Sequence, residues 1–287
     1  MKHFLSIVAL LLLPACTPAE QTQIESAAVS TEGIAVAQDK LRAKQQVLLD
    51  RYFENYKAKN VDAMLALFDE DIIGVLYPTT LFGRGIDAAR PGIEGDYAAR
   101  PDAYAEMPHR YRIAADKWVT FGESVNGDER APLMILFDFD EAGEKIEATY
   151  TQIAFAGFID GPSVEEPTAG MEAAFDRTFA ALKAVNFAAA AEEMGPDAAL
   201  YAYPPADIAD HQPVISGASD VASVLAFKWG EGAWRDDTFV SRYMQYVFVA
   251  IPGEGLDRAA LFTFGADPAS PDYEKITRVD VMGPSGG

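Results

Sequence analysis

The stretch DRYFENYKAKNVDAMLALFDEDIIGVLYPTTLFGRG, residues Asp50–Gly85, decides the fold because the chain contains it twice. A second version occupies Asp176–Gly217 and repeats its landmarks in the same order. An Asp-Arg-x-Phe start, an Asn and a Tyr-Pro pair each recur 126 residues later (176 − 50, 186 − 60, 203 − 77). Self-similarity that holds through helix-like, turn-like and strand-like segments indicates an internal repeat of one structural unit.

The match continues beyond this stretch, with small changes of offset. Gly85 corresponds to Gly217, and Arg110-Tyr111 corresponds to Arg242-Tyr243, both 132 residues apart (217 − 85, 242 − 110). An increase of six residues is what a longer loop in the second copy produces. The sequence therefore predicts two copies of one domain.

Length and charge agree with two soluble domains and exclude some partners. The chain has 287 residues, of which 49% are hydrophobic, enough for two cores. Its formal net charge is −21 at pH 7. Nucleic acids and anionic membrane surfaces attract Lys and Arg, so neither is an expected partner.

The amino terminus resembles a bacterial lipoprotein signal. Lys2 precedes the apolar run Phe4–Leu13, which is too short to span a bilayer, and Leu13-Pro14-Ala15-Cys16 closes it like a lipobox. We expect a signal peptide at 1–15, lipidation at Cys16, and a polar tether at 16–40. The resemblance implies that a lipid anchor is the only membrane contact. It also implies that the protein lies in the cell envelope, at the outer membrane and facing the periplasm. Ordinary secretion with a free cysteine is the alternative.

Apolar periodicity predicts an α+β order in each copy. In copy one a helix begins near Leu41, a second covers Val61–Phe68, a strand covers Ile72–Tyr77 and a third helix covers Ile86–Tyr97. Three strands then follow in each copy, at His109–Phe121, Ala131–Phe139 and Lys145–Phe158, and at Thr238–Ile251, Arg258–Phe264 and Lys275–Met282. We predict domains at 41–158 and 171–287, joined by a Gly- and Pro-containing linker at 159–170.

The motif Leu67-Phe68-Asp69-Glu70-Asp71, followed by a strand, a Tyr-Pro turn, a Gly turn into a helix and a Lys-Ile strand, resembles the nuclear transport factor 2-like superfamily. That superfamily includes SnoaL-like polyketide cyclases, ketosteroid isomerases and non-catalytic binding domains. The resemblance implies two cone-shaped domains, each a curved antiparallel sheet covered by about three helices. Because such domains commonly pair through their sheets, it also implies an intrachain pseudo-dimer.

Tyr77 and Tyr203 stand where ketosteroid isomerases carry a general-base Asp before a Pro. A phenol with an ordinary pKa near 10 cannot replace that base at neutral pH, which argues against isomerase chemistry of that type. Each Tyr can still donate a hydrogen bond to a ligand. The alternative is a strand-end Tyr whose ring lies in the core, which we favour.

Two Arg-Tyr pairs are further candidate ligand contacts. Neighbouring side chains on a strand point to opposite faces, so one member of Arg110-Tyr111 and one of Arg242-Tyr243 faces the concave pocket. An inward Arg could hold a ligand carboxylate. We expect the Arg side chains to face outward and the Tyr side chains inward.

Acid/base candidates gather in the longer loop of copy two. Asp207, Asp210 and His211 follow Tyr203, and a His beside carboxylates can act as a base. One His with two loop Asp and no second His or paired Cys is a poor ligand set, so no metal is expected. The sequence has no Gly-rich phosphate loop, so no cofactor is expected.

Two functions are consistent with these residues. The first is binding of a small apolar or amphipathic molecule, or of a protein partner, without turnover. The alternative is a SnoaL-like cyclase or isomerase with acid/base chemistry in one pocket, for which copy two carries the better candidates. The two functions can be distinguished by one observation. The enzymatic one requires that Tyr203, Asp207, Asp210 and His211 converge on one cavity.

Overall fold

The protein is described from a computed structural model that covers residues 18–153, 162–205, 208–209, 211–228, 234–253 and 255–283, with side chains from residue 36 onward. The chain divides into two units, Met1–Ala43 and Lys44–Gly287, and both β-sheets belong to the second unit. Three sets of predicted features lie outside the described residues. They are the lipidation site Cys16, residues 159–161 of the linker, and the candidates Asp207 and Asp210.

Three helices and six strands form the described part of the first domain. In chain order they are α1 Pro18–Ala58, α2 Val61–Leu65, β1 Phe68–Leu76, β2 Thr80–Arg84, α3 Ile86–Ala99, β3 Tyr104–Arg112, β4 Lys117–Asn126, β5 Glu129–Phe139 and β6 Ile146–Ile153. The sheet has the order β2-β1-β6-β5-β4-β3. Residues 18–40, predicted as a tether, belong to α1.

The second domain repeats this order. Its elements are α4 Ala169–Lys183, α5 Phe187–Glu192, β7 Met194–Ala202, β8 Ile215–Ser216, α6 Ala218–Lys228, β9 Phe239–Tyr243, β10 Tyr246–Ile251, β11 Arg258–Phe264 and β12 Ile276–Met282. Its sheet has the order β8-β7-β12-β11-β10-β9. The predicted α+β class, with two similar sheets each accompanied by helices, is confirmed.

The sheets differ in detail from the purely antiparallel ones predicted. Each contains one parallel pair, β1 with β6 and β7 with β12. The predicted strands His109–Phe121 and Thr238–Ile251 are each two strands joined by a tight turn. Neither turn, at residues 113–116 and 244–245, contains Gly or Pro, so the usual turn signal was missing there.

Repeated local contacts show the repeat in three dimensions. The side chains of Asn60 and Asn186 cap α2 and α5 by accepting from the N–H three residues later. Lys145 Nζ donates to the Ala66 carbonyl at 2.8 Å, and Lys275 Nζ donates to the Glu192 carbonyl at 2.6 Å. Equivalent side chains therefore hold equivalent helix ends in both domains.

Three hydrophobic cores stabilise residues 44–287. One lies between helices and sheet in each domain, and a third lies between the two sheets. In this third core Phe121 of β4 stacks on Phe248 of β10, with ring centroids 4.7 Å apart and planes 2° from parallel. Both rings are at most 5% exposed, and burying a Phe contributes roughly 1.5–3 kcal/mol. The two sheets thus pack face to face through aromatic contacts.

Candidate functional site

A cavity of about 530 Å³ lies in the first domain between its helices and its sheet. Its walls are mainly apolar and aromatic. Phe53 of α1, Met64 of α2 and Ile93 of α3 face Leu133 and Ile135 of β5 across it. A volume of this size and character is typical of a site for a small organic molecule.

The exposed Phe82 of β2, together with Pro91 and Gly92 of α3, lines the mouth of the cavity. The helix runs through Pro91 without interruption. Phe82 of β2, whose side chain is more than half exposed, lies against Gly92, where a Cβ would approach the Phe82 ring to 2.5 Å. The missing side chain at Gly92 lets the aromatic ring lie beside the helix at the cavity wall.

One end of the cavity is polar, and its charges are paired. Arg100 Nε donates to Asp96 Oδ1 at 2.9 Å, and the two side chains are 21% and 28% exposed. These are the charged residues among those lining the cavity in the described part of the chain. Each therefore neutralises the other.

Two tyrosines lie beside this ion pair. The rings of Tyr56 and Tyr97 meet edge to face with centroids 5.6 Å apart. Tyr97 is 7% exposed, and its hydroxyl has no hydrogen-bond partner among the described residues. A buried hydroxyl without a partner lowers the stability of the fold by about 1–3 kcal/mol. A hydrogen-bond acceptor at this position would therefore be favourable.

Both phenols remain protonated at neutral pH. Burial, followed by the negative charge of Asp96, raises the pKa of Tyr56 to about 12. Burial and the neighbouring Tyr56 raise the pKa of Tyr97 well above its ordinary value. Lys59 Nζ donates to the Ala103 carbonyl and lies 4.9 Å from the centroid of the Tyr97 ring. The two hydroxyls are therefore hydrogen-bond donors, not bases.

In the second domain, aromatic side chains pack between the helices and the sheet. Phe175 and Phe179 of α4 stack with centroids 5.9 Å apart, and Trp234 meets Phe179 edge to face at the same centroid distance. Trp234 is 4% exposed, and its indole N–H donates to the Leu225 carbonyl at 3.2 Å. A smaller cavity of about 430 Å³ lies elsewhere in this domain, lined in part by Leu200, Val224 and Val281.

The predicted outward orientation of the arginines is wrong. Arg110 Nη1 contacts Asp50 Oδ1 of α1 at 2.6 Å, and Arg242 pairs with Asp176 of α4. Each guanidinium also lies over a helix aromatic, 5.6 Å from the Phe53 centroid in the first domain. The helical Asp supplies a partner on the helix side, which the strand pattern alone could not reveal.

Tyr111 and Tyr243 consequently face the other domain. The Tyr111 ring lies 6.2 Å from the ring of Phe239 in β9. The Tyr243 hydroxyl donates to Gln152 Oε1 in β6 at 2.8 Å, and Tyr243 is 5% exposed. Both side chains join the core between the sheets and not the first-domain cavity.

Tyr77 and Tyr203 meet each other in the same core. Their rings lie 5.5 Å apart, and each precedes a cis proline. The Tyr77 hydroxyl donates to Asp280 Oδ2 at 2.5 Å, whereas the Tyr203 hydroxyl is buried without a partner among the described residues. The favoured sequence interpretation, a strand-end Tyr with its ring in a core, matches this placement.

Sequence reasoning missed the ion pair at the centre of this group. Arg278 donates to both oxygens of Asp280 at 2.7 Å, and Asp280 is completely buried. The guanidinium lies 3.9 Å from the Tyr201 ring centroid. Two opposite charges at alternate positions of an otherwise apolar strand were the signal that could have found it.

His211 is the one loop candidate whose position is described. Its ring centroid lies 4.8 Å from that of Tyr201 and 6.2 Å from that of Tyr203. Burial, then the nearby Arg278 charge, lowers its pKa. The structure thus brings His211 to Tyr203, while convergence with Asp207 and Asp210 stays a prediction.

Metal-binding clusters and membrane-spanning helices are not found among the described residues. Within the described residues no group of three His, Cys, Asp or Glu side chains could hold a metal ion. No helix in the same part of the chain is long and apolar enough to cross a membrane.

Comparisons with known proteins yield structural neighbours only. No protein-family model matches the chain, and no curated protein matches it. A SnoaL-like protein of unknown function from Burkholderia thailandensis is 13% identical, with 39% of this chain and 97% of that chain covered and a TM-score of 0.35. A cystatin-fold protein from Novosphingobium aromaticivorans is 16% identical, covering 37% and 96%, with a TM-score of 0.34. An NTF2-like protein of unknown function from Cytophaga hutchinsonii is 8% identical, covering 38% and 88%, with a TM-score of 0.32.

Proposed function

We propose that the protein binds one small apolar or amphipathic molecule in the cavity of its first domain, without turnover. The observation that carries this proposal is the cavity of about 530 Å³ with its largely apolar wall. Enclosing apolar surface of a ligand in such a space is favourable at roughly 25 cal/mol per Å² removed from water. The cavity of the second domain is smaller, at about 430 Å³, so the proposal places the ligand in the first domain.

Binding is proposed, and not catalysis, because of how the cavity's ionisable groups are engaged. Asp96 is held by Arg100, and the pKa values of Tyr56 and Tyr97 are raised. A general base must be free to accept a proton near neutral pH. None of these three groups meets that condition in the described structure.

The second domain is proposed as the structural half of an intrachain pseudo-dimer. The aromatic core between the sheets, with Phe121 stacked on Phe248, supports this role. The Tyr77 to Asp280 hydrogen bond adds a polar contact across the same interface. The second sheet would then hold the first sheet, and so the cavity wall, in place.

The site of action is proposed to be the cell envelope, with Cys16 as the lipidated residue. The apolar run that precedes this cysteine is the support for the proposal. Replacing Cys16 with Ala should release the protein from the membrane fraction and abolish its metabolic labelling by palmitate. Retention in that fraction would contradict the anchor.

A titration with the neutral fluorescent probe N-phenyl-1-naphthylamine tests the binding function. We expect saturable binding of one probe per chain. Ala105→Phe, which places a ring in the cavity, should weaken binding about 10-fold or more, since the occupied space is lost. Phe187→Leu, at an exposed position in the second domain, serves as the matched control and should bind the probe normally. Binding that Ala105→Phe leaves unchanged would contradict this site.

A further inference from the structure

We propose that the cavity selects an uncharged ligand with a hydrogen-bond acceptor, such as a ketone or ester carbonyl, and that Tyr97 is the residue that recognises it. This inference rests on the proposed binding function and names the class of its ligand. It depends on two features of the polar end of the cavity, which are its paired charges and its unpartnered hydroxyl.

The paired charges disfavour an ionised ligand. Asp96 and Arg100 are the charged lining residues within the described structure, and Arg100 reaches Asp96 through both Nε and Nη2. Lys59, which lies behind the tyrosine rings, donates to the Ala103 carbonyl. A carboxylate entering the cavity would leave water without gaining a free counter-ion, which is unfavourable.

The unpartnered hydroxyl selects for an acceptor. Tyr97 lines the cavity, is 93% buried and has a hydroxyl without a partner among the described residues. The Tyr56 ring meets the Tyr97 ring edge to face, and the Tyr56 hydroxyl interacts with the Asp96 carboxylate. A ligand oxygen that reaches the Tyr97 hydroxyl would therefore satisfy a donor that the protein leaves unsatisfied.

The walls complete the specificity for an amphipathic shape. The lining includes the apolar side chains of Phe53, Met64 and Ile135, the exposed Phe82, and three small hydroxyl side chains, those of Ser124, Thr149 and Thr151. This largely apolar surface accepts an alkyl or aromatic body. One polar head and one apolar body is the arrangement that fits both ends.

Competition against N-phenyl-1-naphthylamine on the full chain tests this proposal with two ligands of equal carbon number, 2-undecanone and undecanoate, at pH 8. We expect the ketone to displace the probe at a concentration at least about 10-fold lower than the carboxylate. Equal or better displacement by undecanoate would overturn the selection for a neutral ligand, whatever any variant does.

Tyr97→Phe tests the recognising residue. The variant should bind the probe as the wild type does, which shows an intact cavity, but should bind 2-undecanone about 2- to 10-fold more weakly, the loss of one hydrogen bond. Tyr273→Phe makes the same chemical change in the second domain and should leave both affinities unaltered. Unchanged ketone affinity in Tyr97→Phe would overturn the role of Tyr97, while failure of the wild type to bind the probe would overturn the binding function itself.

Discussion

The hydroxyl of Tyr77 in the first domain donates to Asp280 Oδ2 in the second, at 2.5 Å. The two residues are separated by 203 positions in sequence and lie in the core between the sheets. Asp280 is completely buried and also receives both hydrogen bonds of Arg278. The contact between the domains therefore centres on a buried, fully engaged carboxylate.

Asp280→Asn should destabilise the protein by about 3 kcal/mol, because it leaves the partly buried Arg278 without its counter-ion. Urea unfolding followed by circular dichroism measures the loss. The control is Glu144→Gln, which breaks an ion pair with Lys44 whose side chains are 52% and 64% exposed. That change should cost at most about 1 kcal/mol, and equal losses in the two variants would refute the special role of Asp280.

Stability should fall as the pH rises above 10. Burial raises the pKa of Tyr77, Tyr203 and Tyr243 well above 10, so the folded state keeps phenolic protons that the unfolded state loses. The stability these groups contribute is complete below the unfolded pKa and is lost as the pH rises towards the folded values. Urea unfolding between pH 8 and 11 measures the slope.

Tyr203→Phe supplies the comparison for this pH dependence. Removing one titrating phenol should make the slope above pH 10 shallower, since the folded state then holds one proton fewer relative to the unfolded state. Because the buried Tyr203 hydroxyl has no partner among the described residues, its removal should raise stability at pH 8 by up to about 1–3 kcal/mol. An unaltered alkaline slope would show that Tyr203 is not protected in the folded state.

Trp234→Ala should open space in the second domain. The indole is buried against Phe179 and Phe262, and removing it should cost about 3–5 kcal/mol. If the variant stays folded, binding of N-phenyl-1-naphthylamine should rise towards two molecules per chain. A loss under about 1 kcal/mol would mean that Trp234 does not fill this core.

Gly92→Ala should alter access to the cavity more than stability. The added methyl group would meet the end of the Phe82 ring, which is exposed and can move. Replacing a helical Gly with Ala contributes about 0.5–1 kcal/mol, so unfolding free energy should stay within about 1 kcal/mol of the wild type. Stopped-flow fluorescence should show a changed association rate for the probe, and an identical rate would contradict Phe82 as part of the mouth.

The sequence specified the repeat, the fold class and most elements because these depend on local patterns. Apolar periodicity, the Asn caps and the Tyr-Pro pairs all recur at fixed offsets. The turns inside the predicted strands His109–Phe121 and Thr238–Ile251 were missed because neither turn contains Gly or Pro. The parallel β1–β6 pairing was missed because strand order is a tertiary property.

The candidate site was harder to predict because it depends on packing between distant segments. Arg110 faces the helices because Asp50 of α1 lies there, 60 residues away in sequence. The cavities of the two copies differ in size and lining, and nothing local to either copy shows this difference. Asp96 and Tyr97 lie within the predicted helix Ile86–Tyr97 and Arg100 lies beyond it, and the pattern did not join the three into a site because their shared environment comes from α1 and the sheet.

Native mass spectrometry of the full chain, purified gently from its own cells, tests the central claim most directly. The account predicts one small uncharged molecule per chain, lost on denaturation and absent from Ala105→Phe purified in the same way. A wild-type mass without any bound molecule that stays unchanged after exposure to cell extract, or a ligand that Ala105→Phe retains, would contradict it.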